Sequence, residues 1–247
     1  MLIMNKFLTI FLTIATLINI LAKAGKLSFV RAYPGIVKIQ NNIIYFKSGK
    51  RLKYSDEKAK NFKEKLENPS VGDMVSQRYP KLETIQSPSY NFDPGRYRNI
   101  KFFKILYGKD KKTVEKNLVR VIWLPKSQHR VLWFNKLQNA AKNLQIVSNE
   151  LDKLPYPYKK YITDIAGTFS YRKIQGTSRL SSHSFGIAID INPKFSNYWK
   201  WDKKMVYKNK IPKKIVDIFE KHGFIWGGRW FHYDTMHFEY RPELSFH

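Results

Sequence analysis

Two short stretches hold the residue types that grip a metal ion. The first runs from Ser181 to Asn192 and contains His183 and Asp190; the second runs from Asp234 to Glu239 and contains His237. From Ile187 to Asn192 the residues alternate, which is the period-two pattern of a half-buried strand, so Asp190 leaves the strand away from Ile187, Ile189 and Ile191. On one straight strand His183 and Asp190 would lie roughly 23 Å apart at about 3.3 Å per residue. Ligands of one ion must sit within a few ångströms of each other. The chain therefore has to fold back between them, and Gly186 is the residue type that permits the sharp turn. In Met236–Tyr240 the alternation puts His237 and Glu239 on one face. Asp234 stands at an odd offset from His237, so a bend at Thr235-Met236 is expected to bring its carboxylate near the ion without making it a fourth ligand.

Two histidines and one carboxylate, with an open fourth position, is the ligand count of a catalytic zinc site. A single bound zinc would lower the pKa of water to about 7 and polarise a carbonyl, and a nearby carboxylate would take the water's proton. This reading assigns His183, Asp190 and His237 as ligands and Asp234 as general base. A lone histidine is more often a packing or surface residue. Here two histidines, a carboxylate on a strand's polar face, small Ala188 beside it and a spare carboxylate coincide. Glu239, on the face of His237, is placed to orient that ligand, and is the reserve base if Asp234 points away.

The pattern Ser181-x-His183-x-x-Gly186-x-Ala188-x-Asp190 followed by Asp234-x-x-His237-x-Glu239 resembles the zinc peptidases that group D-alanyl-D-alanine carboxypeptidases with L-alanyl-D-glutamate endopeptidases. The resemblance spans roughly Leu151 to Leu244. It implies hydrolysis of peptidoglycan stem peptides and an α+β fold, in which a small antiparallel sheet carries the zinc between flanking helices, as in Hedgehog-type and DD-peptidase relatives. Asp234 matches the branch with an aspartate base, which includes phage endolysin peptidases; the substrate preference of the glutamate branch does not transfer. The family also holds substrate with an arginine upstream of the first histidine. Gly167–Arg172 resembles that segment, making Arg172 the first candidate and Arg179 a weaker one. Ser181 and His232 are further candidates for orienting a ligand or touching substrate. A zinc-containing envelope-binding protein without turnover is the alternative, and a basic adhesion protein a third class; a binding protein has no need of Asp234.

The rest of the chain sets this site in context. Lys6, the apolar run Phe7–Ala22 and Ala22-Lys23-Ala24 read as a secretory signal over residues 1–24. The run of about sixteen residues is short of the roughly twenty that a membrane span needs, so no integral span is expected once the signal is removed. With no cysteine among 247 residues, disulfides and a lipoprotein anchor are excluded, and stability must come from a packed core and the metal. A hydrophobic content of 43% excludes a disordered chain. Net charge is +26, or +24 once Lys6 and Lys23 leave with the signal. A chain this basic adheres to polyanions. The lysines are spread along the chain and no nucleic-acid-binding motif appears, so an anionic cell envelope is the expected partner rather than nucleic acid.

Residues 25–95 read as a strand-rich N-terminal extension with a linker, and residues 96–247 as the peptidase domain. Ile36–Gln40 and Ile43–Phe46 flank a turn at Asn41-Asn42, and Ser48-Gly49-Lys50 makes a second. Asp56–Asn68 reads as a charged helix, and Tyr79–Gly95 as either the linker or a long ordered surface loop. Leu118–Trp123 and Arg130–Phe134 form a hairpin. Apolar residues at three- and four-residue offsets predict helices over Lys136–Leu154 and Pro212–His222. The Tyr198-Trp199-x-Trp201 cluster either lines a cleft or caps the core, and Gly227-Gly228 suits a bend letting backbone approach a substrate.

Overall fold

Three separate antiparallel sheets and several helices make the chain an α+β protein. The computed structural model describes residues 25–246, so the expected signal lies outside the described residues. Strands β1 (Ile36–Gln40) and β2 (Ile43–Phe46) meet across Asn41 and Asn42, whose φ angles of 49° and 59° lie in the left-handed region that asparagine tolerates. Strand β3 (Arg51–Lys53) completes this first sheet. The second sheet is the expected hairpin, β4 (Leu118–Trp123) paired with β5 (Arg130–Asn135). The third places β8 (His237–Tyr240) between β6 (Ala188–Asp190) and β7 (Phe224–Trp226).

Two helices brace these sheets. The first spans Ala140–Leu151 and packs Ala141, Leu144, Val147 and Leu151 inward, with β4 among its neighbours. It starts later than its apolar period suggests, because Gln138 and Asn139 adopt φ angles of 55° and 66° that no helix accommodates. The second spans Lys213–Lys221, and its Phe219 ring stacks on Phe238 of β8 with centroids 3.9 Å apart. His222 at its end bonds Glu150 through Nε2 at 2.7 Å, a structural role. The charged stretch after Asp56 is helical only over Phe62–Glu67, where Asn61 and Glu64 cap each other's backbone.

Residues 25–95 and the later part of the chain share one core. Phe29, Tyr33, Ile36 and Ile44 belong to one buried cluster with Phe102, Trp123, Phe185 and Phe238. The stretch Tyr79–Gly95 makes several buried contacts with the later part of the chain. Tyr79 donates its hydroxyl to buried Glu220 at 2.6 Å, Asp93 is fully buried, and Trp230 donates its ring N–H to the Pro94 carbonyl at 2.7 Å. Proline and serine content marks irregular backbone, but a few buried hydrogen bonds decide whether that backbone is loose.

The fold-back demanded by the first motif is a single 3-10 turn, Ser182–Phe185, closed by Gly186 at φ 65°. A Cβ at Gly186 would also meet the Leu118 side chain at 2.6 Å. Gly186→Ala should therefore destabilise the protein by about 1–3 kcal/mol in chemical denaturation. An unchanged unfolding midpoint would show that this turn does not need glycine.

Candidate metal centre

The register of the third sheet explains how two distant motifs meet. Asp190 pairs directly with His237, and Ala188 with Glu239. Directly opposed residues share a face, so the acid and the imidazole stand together while Ile189 and Phe238 enter the core on the other side. Ala188 is small enough to leave room for Glu239. The edge of β6 is extended by Gly167, whose carbonyl accepts the Asp190 N–H at 2.9 Å. This sets the next carbonyl, that of Thr168, against His183.

That contact fixes the tautomer of His183. A carbonyl only accepts, so the 2.6 Å contact from Nδ1 to Thr168 O is an N–H donor bond and leaves Nε2 for another partner. Nε2 lies 3.1 Å from Asp190 Oδ2 and 3.3 Å from His237 Nδ1. His237 is oriented in the opposite sense: Nε2 faces the Glu239 carboxylate at 3.1 Å, and Nδ1 faces Asp190 Oδ1 at 2.9 Å. One atom from each of His183, Asp190 and His237 converges within 4.8 Å, close enough to hold a metal ion. Each imidazole has its other nitrogen tied to an oxygen, as metal-binding histidines do.

Asp234 stands outside this trio, on the cleft wall. The expected bend is present as a turn at Thr235-Met236, and the Asp234 backbone N–H bonds the Gly227 carbonyl at 3.0 Å. The residue as a whole is half-buried, but its Oδ1 is enclosed and has no hydrogen-bond partner among the described residues. An enclosed carboxylate oxygen with nothing to bond is costly, and water on a bound ion is the kind of partner it lacks. Burial, and then the negative charge of Asp190, push its pKa up to about 7.

Glu239 is wholly buried and still ionised. Burial works to raise its pKa, but the Arg98 guanidinium, with His237 and Arg241, holds it well below the carboxylate range. Arg98 donates from Nη2 at 2.6 Å and from Nε at 3.0 Å, and Arg241 donates from Nη1 at 2.8 Å. Arg241 in turn donates to Glu243, which accepts the Tyr33 hydroxyl. The orientation of His237 thus reaches back into the first sixty residues through ion pairs that end in the Tyr33–Glu243 hydrogen bond.

A cleft of about 280 Å³ opens over the trio, and its walls carry Arg96, Arg98, Arg172, His232 and the rings of Tyr198, Trp199 and Trp201. Arg172 lines it; Arg179 does not, its Nε lying instead 3.5 Å from Glu67 Oε1. Ser181 caps the 3-10 turn by accepting the His183 N–H at 3.3 Å. His232 donates from Nδ1 to Asp93 at 2.6 Å. The aromatic cluster lines the cleft, with Trp201 60% exposed, while Tyr198 also packs against the core. Gly228 serves a different approach from the one expected: a Cβ there would come within 2.1 Å of the Trp226 ring, so the close contact is with the protein itself.

Residues 175–240 match the family model described as D-alanyl-D-alanine carboxypeptidase. The resemblance read from the two motifs is borne out over this stretch, which contains the candidate metal trio, Asp234 and Glu239. Arg172 precedes it. At the level of reaction class the match supports a hydrolase of the metallopeptidase type. No curated protein and no solved structure matches the chain.

Sequence reasoning missed Arg96 and Arg98, which reach the cleft from upstream of every motif. Their only sequence signal is position, immediately after the Asp93-Pro94-Gly95 turn. Thr168 leaves no signal at all, because its contribution is a backbone carbonyl, which no residue type reveals.

The charge state of His237 gives a prediction. Burial works to lower its pKa, but hydrogen bonds to Asp190 and Glu239 outweigh it and raise the value to about 10. The metal-free protein at pH 7 therefore holds a proton on His237 that a ligated imidazole cannot keep. Zinc uptake should release at least one proton at pH 7, and affinity should rise with pH through the neutral range. Calorimetry in buffers of different ionisation enthalpy measures this; uptake without proton release would mean His237 is not a ligand.

Proposed function

We propose that the chain is an exported zinc peptidase that hydrolyses peptidoglycan stem peptides, either trimming a terminal D-amino acid or cutting within the stem. The observation that carries this reading is the enclosed, partnerless Asp234 Oδ1 beside two histidines, each held by an oxygen on one ring nitrogen, and Asp190. His183 Nε2, His237 Nδ1 and an Asp190 oxygen would hold one zinc ion, and the fold would be of the Hedgehog and DD-peptidase type. Zinc, when bound, supplies a Lewis acid that acidifies water and polarises the scissile carbonyl.

The residues of this chain do the rest. Asp234 takes a proton on Oδ1 from the attacking water and can return it to the leaving amine. Its raised proton affinity in the metal-free protein reflects the same enclosure that makes the carboxylate an effective base once positive charge stands nearby. Arg172 binds a substrate carboxylate and steadies the developing oxyanion. Glu239 keeps His237 in the tautomer that leaves Nδ1 free. Removal of the signal would leave a strongly basic protein in the periplasm or outside the cell, with its charge directed to the anionic envelope and not to nucleic acid. Among the described residues no helix is long and apolar enough to cross a membrane.

Asp234→Ala should keep zinc stoichiometry but lower hydrolysis of purified peptidoglycan by about 100-fold or more. Retained turnover would remove Asp234 from the mechanism. His183→Ala should lose both the metal and the activity, read by metal analysis beside fragment masses with and without chelator; an active, metal-loaded His183→Ala protein would refute the ligand assignment.

A further inference from the structure

The cleft has a second polar wall that the proposed reaction does not use. Asp93 is fully buried on the loop before Arg96, and its Oδ2 accepts from Arg96 Nη1 at 2.5 Å and from His232 Nδ1 at 2.6 Å. Its Oδ1 accepts the His232 backbone N–H at 3.0 Å. Burial alone would neutralise this carboxylate, but the His232 bond and the Arg96 charge keep its pKa low. It therefore acts as an anchor for two groups that both line the cleft.

Their exposed ends are held in place. The His232 ring stacks on Phe62 with centroids 5.8 Å apart and meets the Trp199 ring edge-on at 4.9 Å. With Nδ1 committed to Asp93, Nε2 is its remaining polar atom, and it has no partner among the described residues. Arg96 uses Nη1 on Asp93, and its other guanidinium donors have no hydrogen bond among the described residues. Arg98 differs, since its guanidinium is taken up by Glu239.

The cleft therefore offers two separate sets of free donors: Arg172, and the Arg96–His232 pair. One arginine suffices for the terminal carboxylate of a peptide. A second set, built by burying an aspartate for the purpose of aiming it, is matched to a second carboxylate. We propose that Arg96 and His232, held by Asp93, recognise a free carboxylate close to the cleaved bond, so that the substrate is an acidic peptide. This rests on the peptidase reading above and specifies its substrate class. It also gives the N-terminal segment a part in specificity, since Asp93, Arg96 and the Phe62 platform all precede the matched family segment.

The test compares two otherwise identical stem peptides in which the D-glutamyl carboxylate is either free or amidated. Binding is measured by calorimetry to the zinc-loaded Asp234→Asn protein. The acid should bind about tenfold more tightly than the amide. Adding Arg96→Gln should reduce that preference to under about twofold, while Arg78→Gln, at an exposed position away from the cleft, should leave it intact. His232→Gln supplies the same reading if Arg96→Gln does not fold. Equal binding of the two peptides, or a preference that survives both substitutions, overturns the proposal. Hydrolysis by the unsubstituted zinc protein separates this from the reaction itself. A binding preference without cleavage of either peptide refutes the peptidase reading and leaves the wall standing; cleavage of both peptides with equal binding does the reverse.

Discussion

A carboxylate with no exposure to solvent sits at the centre of this structure, and its neutralisation organises much of what surrounds it. Glu239 bonds His237 on one side and is met by Arg98 and Arg241 on the other. Breaking a buried pair of this kind typically costs about 3–5 kcal/mol, against a whole-domain stability of about 5–15 kcal/mol. The chain has to bring Arg98 from the N-terminal part, Arg241 from beyond β8 and Ala188 from β6 to one place for the charge to be tolerated. The same geometry fixes the orientation of the His237 ring, with Nδ1 turned toward Asp190, so the requirement that stabilises the interior also aims a nitrogen at the place a metal would occupy.

The N-terminal part of the chain is consequently structural to the site. Tyr33 bonds Glu243, Gly95 offers its carbonyl to Arg241, Tyr79 bonds Glu220, and Asp93 holds His232. These are buried polar contacts, whose loss leaves unpaired groups away from water. They bind the segment before residue 96 to the sheet that carries the trio more tightly than apolar packing alone would. The cleft that results has His183, Asp190 and His237 at its floor, Asp234 on its wall, aromatic rings at its mouth and arginines from both halves of the chain.

Much of this arrangement was legible in the residues. Period-two alternation placed Asp190 and His237 on polar faces, and the distance between His183 and Asp190 forced a turn at Gly186. The odd offset of Asp234 foretold the bend at Thr235-Met236. The hairpin over Leu118–Phe134 and the two amphipathic helices followed from apolar spacing. What was not legible depends on contacts far apart in sequence or on backbone. Nothing in Arg96-x-Arg98 says that one arginine neutralises Glu239 while the other shares Asp93. The late start of the Ala140 helix comes from local conformation at Gln138 and Asn139, which hydrophobic period does not register. The buried hydrogen bonds that tie Tyr79–Gly95 to Glu220 and Trp230 leave no trace in its composition.

Anomalous diffraction from zinc-loaded crystals at the zinc edge tests the central claim most directly. One ion should be bonded to His183 Nε2, His237 Nδ1 and an Asp190 oxygen at about 2.0–2.2 Å, with Asp234 outside the bonding distance. An ion bound elsewhere, or a site in which Glu239 replaces Asp190 as the ligand, would contradict it.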